Sequence, residues 1–164
     1  MEAVFDSSTL ILLAKIEILR SVSEDFRIII PEMVKKECIV KDSFDSKLIS
    51  SLIAEGDIEV LKMTKRETIK TLCTDFRIHA GEAEALALAI HKNIPLAVDD
   101  LPTIKACKIL NRSFTTAIHF LLKIAVSGKI NRNTALVKLE KLSFYGRYNR
   151  RIIDDAYSRL KGGV

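Results

Sequence analysis

Short apolar runs alternate along this chain with longer stretches in which hydrophobic residues recur at helical spacing. The apolar runs predict strands at 3–5, 27–30, 58–61 and 95–98, with 113–115 as a candidate fifth strand. The helically spaced stretches predict nine helices, at 10–16, 32–40, 42–54, 65–76, 82–91, 103–110, 117–126, 133–142 and 151–160. Strands that alternate with helices indicate an α/β fold, with a central, mainly parallel sheet of four to five strands flanked by helices.

Length and composition bound this prediction. The chain has 164 residues, of which 48% are hydrophobic and 29% charged, as expected for one packed domain. No apolar stretch approaches the ~20 residues of a membrane span, and no signal-type segment opens the sequence, so we expect a cytoplasmic protein without membrane contact. The three cysteines are widely separated and lie among apolar residues, which favours buried thiols over disulfides or a zinc site.

Charge is distributed unevenly along the chain. Residues 1–100 hold 13 Lys and Arg against 18 Asp and Glu, whereas residues 101–164 hold 13 against 3. An acidic N-terminal part beside a basic C-terminal part is consistent with an acidic site next to a surface that attracts polyanions. A solvated basic helix face explains the C-terminal charge equally well.

Acidic residues recur where predicted strands end and helices begin. Asp6 follows the first strand and Asp99 and Asp100 follow the fourth, so parallel strands would bring them to one edge of the sheet. Glu37 falls within the apolar stripe of its helix, which predicts a carboxylate on the core side. Glu82 lies in the first turn of a helix, where it either joins the acidic edge or only stabilises the helix dipole.

Carboxylates gathered in this way repel one another unless a cation compensates their charge. Oxygen ligands without nearby His or Cys favour Mg²⁺ or Mn²⁺ over zinc, and such ions support phosphodiester hydrolysis. Ser8 is placed to orient Asp6, while Ser7, Ser8 and Thr9 are the N-cap candidates of the first helix. No nucleotide-binding glycine motif and no serine-nucleophile elbow is found in the sequence.

Three acidic motifs, together with Glu37 between the first and the second of them, carry a family resemblance. Phe5-Asp6-Ser7-Ser8, Glu37, Gly81-Glu82-Ala83-Glu84-Ala85-Leu86 and Pro95-Leu96-Ala97-Val98-Asp99-Asp100 resemble, in order and spacing, the motifs of a PIN domain. The resemblance covers residues 1–145 and is greatest to the prokaryotic branch with VapC-type toxins and PIN-like nucleic-acid-binding proteins. It implies a Mg²⁺- or Mn²⁺-dependent ribonuclease with Asp6, Glu37, Glu82 and Asp100 as catalytic residues, and with Asp6, Glu82, Asp99 and Asp100 as metal ligands.

The resemblance also implies supporting roles and partners. Thr116 lies where family members often place a Ser, Thr or acid, and a homodimer and an antitoxin protein are expected partners. Residues 146–164 are predicted to form a basic helical extension of the domain, for RNA contact, oligomer contact or solvation. Four basic residues are predicted to position the RNA strand: Lys105, Lys108, Arg112 and Lys123.

The sequence therefore predicts an endoribonuclease for single-stranded RNA, and the resemblance to VapC-type toxins implies a role as the toxin of a toxin–antitoxin pair. The alternative is a catalytically silent PIN-like module that binds RNA or protein.

Overall fold

A computed structural model describes residues 1–162, over which the chain forms an α/β domain with five strands and ten helices. The strands are β1 Glu2–Phe5, β2 Arg27–Pro31, β3 Ile58–Leu61, β4 Leu96–Ala97 and β5 Phe114–Thr115. The helices are α1 Ser7–Lys15, α2 Leu19–Asp25, α3 Glu32–Ile39, α4 Phe44–Glu55, α5 Arg66–Phe76, α6 Ala80–Lys92, α7 Leu101–Ile109, α8 Ala117–Val126, α9 Arg132–Tyr145 and α10 Arg150–Gly162.

The strands form a single sheet in the order β3-β2-β1-β4-β5, and every pairing is parallel. The predicted α/β class and parallel sheet are thereby confirmed, with the fifth strand included. Ile28, Ile29 and Ile30 of β2 are wholly buried, as expected for β-branched residues in a strand that is covered on both faces. Because all five strands run the same way, the loops after them meet at one edge.

Helix ends show where local sequence signals worked and where they did not. Gly56 ends α4 with a φ of 87°, a left-handed conformation that costs glycine little. The first helix is capped by Asp6 and not by Ser7, Ser8 or Thr9, because the Asp6 carboxylate accepts the Thr9 N–H. Helix α2 was not predicted from the sequence.

The C-terminal helix is part of the packed body. Ala156 and Leu160 of α10 are buried, and α10 packs against α8 and α9. Residues 163–164 of the predicted extension lie outside the described residues. No helix in the range 1–162 combines the length and apolar character needed to cross a membrane.

Candidate active site

The acidic residues after β1 and β4 meet at the carboxyl edge of the sheet. These two strands are neighbours, with Phe5 in register with Ala97, and the Asp6 N–H donates to the Ala97 carbonyl at 3.0 Å. Asp6 and the Asp99–Asp100 pair therefore follow adjacent strand ends. The prediction from strand ends thus corresponds to a real juxtaposition in the fold.

Asp6 lies at this edge, between the end of β1 and the start of α1. Its side chain is buried and accepts hydrogen bonds from Ser8 Oγ at 2.6 Å and from the Thr9 N–H at 2.8 Å. Burial raises the pKa of Asp6 from 3.8 to about 7, and the charge of Asp99 adds to the rise, while the hydrogen bonds from Ser8 and Thr9 oppose it. The carboxylate is thus fixed in position but costly to ionise without a compensating cation.

Asp99 joins three separate parts of the chain. It accepts hydrogen bonds from Thr9 Oγ1 at 2.8 Å, from the Ala117 N–H at 3.0 Å and from the Tyr148 hydroxyl. Burial raises the pKa of Asp99, and these three hydrogen bonds oppose the rise. Asp99 thereby connects α1, the N-terminus of α8 and the segment before α10.

Asp100 caps α7 with one oxygen only. Its Oδ2 accepts the Thr103 N–H at 2.9 Å and the Thr103 Oγ1 at 2.8 Å, whereas Oδ1 has no protein donor among residues 1–162. That oxygen is available to a ligand. Glu82 accepts the His79 N–H at 2.7 Å in a capping box at the start of α6.

Glu82 is half-buried, and its electrostatic environment includes two further acids. Burial raises the pKa of Glu82 and the charges of Asp100 and Glu37 add to the rise, whereas the hydrogen bond from His79 opposes it. Glu37 and Asp100 are therefore near enough to Glu82 for their charges to act on its carboxyl group.

The apolar stripe of α3 predicted that Glu37 lies on the core side of this helix, and that prediction is wrong. Val34 and Cys38 are buried, but Glu37 is exposed. Its carboxylate lies against Gly81, since a Cβ built there would be only 2.2 Å from Glu37 Oε1. Glu37 thus reaches the site across the start of α6 and not through the core.

An open cavity of about 470 Å³ lies beside these acids. Its polar side chains come from α1, α6, the β4–α7 junction and the α9–α10 turn, and its apolar walls come from α1 and α7. The lining residues are Ser8, Ile11, Leu12, Lys15, Glu82, Asp99, Asp100, Leu101, Pro102, Tyr145, Gly146 and Arg147.

The chemistry of the carboxylates in and beneath this cavity suits a divalent metal. They are hard oxygen donors, and the raised pKa values of Asp6, Glu82 and Asp99 are what a bound cation would reverse. The side-chain arrangement does not itself form a coordination shell, because within residues 1–162 no three His, Cys, Asp or Glu side chains are grouped closely enough to hold an ion. The donor type therefore fits, and no coordination geometry follows from it.

The other predicted residues lie outside the cavity lining. Thr116 occupies the N-cap position of α8, but its side chain makes no capping hydrogen bond. Arg112 donates to Asn93 Oδ1, and the Lys108 ammonium lies 5.9 Å from the centroid of the Phe114 ring. Lys105 and Lys123 are on α7 and α8. The roles of these residues in RNA binding stay predictions.

Sequence reasoning missed five residues that shape this edge. Thr9 and Tyr148 donate to Asp99, Lys15 and Arg147 line the cavity, and Glu84 accepts the Met33 N–H at 2.9 Å. The available signal for Arg147 and Tyr148 was their position in the basic C-terminal stretch, but no local pattern connects that stretch to β4.

One comparison decides the family. The PIN domain family, in its DUF3368 branch, matches residues 2–161 of the 164-residue chain. The protein belongs to the PIN domain family. The family resemblance predicted from the acidic motifs is thereby confirmed, and the match extends through nearly all of α10.

The PIN domain assignment connects the site with nucleic acids. PIN domains have a nuclease fold and typically use divalent metals, which agrees with the oxygen-rich donor set. No curated protein matches this chain.

Proposed function

We propose that this PIN domain is a Mg²⁺- or Mn²⁺-dependent endoribonuclease that hydrolyses phosphodiester bonds in single-stranded RNA. The observation that carries the proposal is the convergence of Asp6, Asp99 and Asp100 at the ends of adjacent parallel strands. Asp99 and Asp100 line one cavity together with Glu82, and Asp6 is buried. Burial raises the pKa values of Asp6, Glu82 and Asp99. Acids with raised pKa values are common at catalytic sites, because such an arrangement destabilises a fold that has no use for it.

Asp6, Glu82, Asp99 and Asp100 would hold the metal, with Glu37 as the further acid of the catalytic set. When bound, such an ion polarises a phosphodiester and makes water more acidic. Ser8 and the Thr9 N–H hold Asp6 in one orientation, and Thr103 fixes Asp100 while leaving Oδ1 free. These hydrogen bonds preorganise the carboxylates before substrate arrives.

The experiment is cleavage of a labelled single-stranded RNA, with Mn²⁺ or with EDTA. Wild type should cleave only with Mn²⁺, and Asp6→Asn and Glu82→Gln should each lower the rate at least ~100-fold, the scale of losing a group that stabilises transition-state charge. Glu67→Gln is the matched control, because the Glu67 side chain is 91% exposed and lies in the first turn of α5, outside the cavity lining. Equal cleavage by wild type and both site variants would remove the proposal.

A second candidate function is a catalytically silent module that binds RNA. It is favoured by the lack, over residues 1–162, of three potential metal ligands in one group, and by the protein donors that already occupy Asp6 and Asp99. Calorimetric titration with Mn²⁺ separates the two functions. Binding that is lost in Glu82→Gln supports the nuclease, whereas no binding at millimolar Mn²⁺ supports the silent module.

The toxin role, the antitoxin partner, the homodimer and the cytoplasmic location also stay predictions. The family membership is compatible with each of them.

A further inference from the structure

Two cations line the acidic cavity without neutralising it. Lys15 and Arg147 share its lining with Glu82, Asp99 and Asp100. Among the ion pairs of residues 1–162, none involves Lys15 or Arg147, although twelve other contacts of this kind occur, mostly on the surface. Cations that border carboxylates but do not pair with them are available to an anionic ligand.

Lys15 is held at the cavity by an aromatic ring. It is the last residue of α1, and its Nζ lies 5.2 Å from the centroid of the Tyr145 ring. A cation–π contact of this kind stabilises an ammonium group without cancelling its charge. Lys15 is exposed, so its ammonium group remains accessible to a ligand.

Arg147 is exposed, and the residues on either side of it are fixed. The Gly146 N–H donates to the Leu142 carbonyl at 2.8 Å, and the Tyr148 hydroxyl donates to Asp99. A Cβ on Gly146 would be 2.3 Å from the Tyr148 ring, so the glycine allows that ring its close approach. The backbone around Arg147 is thereby anchored to the acidic site itself.

We propose that Lys15 and Arg147 form a binding subsite for a phosphodiester group of a single-stranded nucleic acid. A phosphate that approaches Glu82, Asp99 and Asp100 meets like charge, and these two cations are the counter-charges among the residues that line the cavity. A guanidinium forms paired hydrogen bonds with phosphate oxygens, and an ammonium adds a point charge. The subsite rests on the proposed function for its substrate class. It does not include the residues predicted from the sequence to position RNA, since none of these lines the cavity: Lys105, Lys108, Arg112 and Lys123.

The test is equilibrium binding of a fluorescent single-stranded RNA 12-mer in EDTA, followed by anisotropy over a series of salt concentrations. Lys15→Met and Arg147→Met should each weaken binding about 5- to 10-fold, and each should reduce the slope of log K against log salt by about 0.7, as for one lost contact to a single-strand phosphate. Lys70→Met and Arg66→Met are matched controls on α5 that remove the same charge outside the cavity. Variants that bind like these controls overturn the subsite.

Two further measurements complete the test. The first distinguishes the loss of a charge from altered folding, and the second distinguishes recognition of the phosphate from recognition of the sugar. Lys15→Arg keeps the charge and should restore most of the affinity. Arg147→Lys keeps the charge but not the paired hydrogen bonds, so it should restore part of the affinity. No recovery in either variant would assign the loss to altered structure and overturn the subsite. A single-stranded DNA of the same sequence should lose affinity by the same factor, because phosphodiesters are common to both. A loss confined to RNA, or no nucleic-acid binding by wild type, contradicts the proposal.

The outcome is independent of catalysis. If wild type does not cleave RNA with Mn²⁺ but Lys15→Met and Arg147→Met weaken binding, the nuclease proposal fails and the subsite stands. If wild type cleaves RNA and the two variants bind like the controls, the subsite fails and the nuclease proposal stands.

Discussion

Asp6 shows at the scale of one residue how a site is built at the expense of stability. Its carboxylate is buried and held by two hydrogen bonds, yet burial raises its pKa to about 7. The folded state therefore binds a proton at this group more tightly than the unfolded chain does. Protonation of Asp6 stabilises the fold below about pH 4, and this contribution is lost as pH rises through about 7.

Asp6→Asn is expected to stabilise the metal-free protein at pH 8, because it removes a buried charge and keeps an oxygen for the Thr9 N–H. A pKa change from 3.8 to about 7 corresponds to at most ~4 kcal/mol in the free energy of unfolding. Urea unfolding of wild type and Asp6→Asn in EDTA at pH 5 and pH 8 measures this difference in the free energy of unfolding. The increase caused by Asp6→Asn should be smaller at pH 5 than at pH 8. Asp42→Asn, at an 85% exposed side chain, should change stability by less than ~0.5 kcal/mol. A variant less stable than wild type at pH 8 would contradict the expected cost of burial.

The start of α6 shows at the scale of an element how one helical turn organises the site. Glu82 closes the capping box with His79, and Glu84 accepts the Met33 N–H of α3. Gly81 is buried, and the Glu37 carboxylate of α3 occupies the space beside it. Helices α3 and α6 therefore place Glu37 and Glu82 together through this turn.

Gly81→Ala should displace the Glu37 carboxylate without lowering the stability of the fold. The new Cβ would be 2.2 to 2.5 Å from the Glu37 carboxyl group, and this end of a flexible side chain will move aside. The free energy of unfolding should stay equal or rise by up to ~1 kcal/mol, because alanine favours a helix over glycine. RNA cleavage should fall at least ~10-fold, on the scale of losing a correctly positioned catalytic group.

Gly162→Ala is the matched control, because it makes the same change in a helix where the new Cβ has no neighbour within 4 Å. Thermal unfolding and single-turnover cleavage check both variants. Cleavage by Gly81→Ala at the wild-type rate would show that Glu37 acts from elsewhere or not at all.

Elements were predictable to the extent that their signals are local. The Ile28–Ile30 run predicted β2, and the helical spacing over 117–126 gave the bounds of α8, because both patterns lie within the element itself. Helix α2 was missed because seven residues with two buried side chains give too short a pattern. Glu37 was misplaced because its position depends on Gly81, 44 residues along the chain.

The acidic edge was predictable in the same limited sense. Strand ends and parallel pairing indicated that Asp6, Asp99 and Asp100 would meet, because this follows from topology alone. The Tyr148–Asp99 hydrogen bond joins residues 49 apart, and the cavity cations come from α1 and the α9–α10 turn. No period or motif in the sequence encodes those contacts.

At the scale of the whole molecule, the C-terminal part of the chain supports the acidic edge as well as supplying charge. Arg150 and Arg159 pair with Asp154 and Asp155 on their own helix at 3.8 and 3.9 Å, so some of the basic charge is locally compensated. In the turn before α10, Arg147 lines the cavity and the Tyr148 hydroxyl donates a hydrogen bond to Asp99. Packing of α10 and completion of the site are therefore connected.

Leu160→Ala should show that α10 is integral to the PIN domain. Leu160 is 3% exposed and packs in the common core, so its truncation should lower the free energy of unfolding by about 2–4 kcal/mol. Tyr157→Ala, on the same helix at a side chain 38% exposed, should cost less than ~1 kcal/mol. Urea denaturation monitored by circular dichroism measures both. An independent extension would instead unfold in a separate, earlier transition and leave the main midpoint unchanged in Leu160→Ala, whereas an integral helix shifts the single transition of the whole domain.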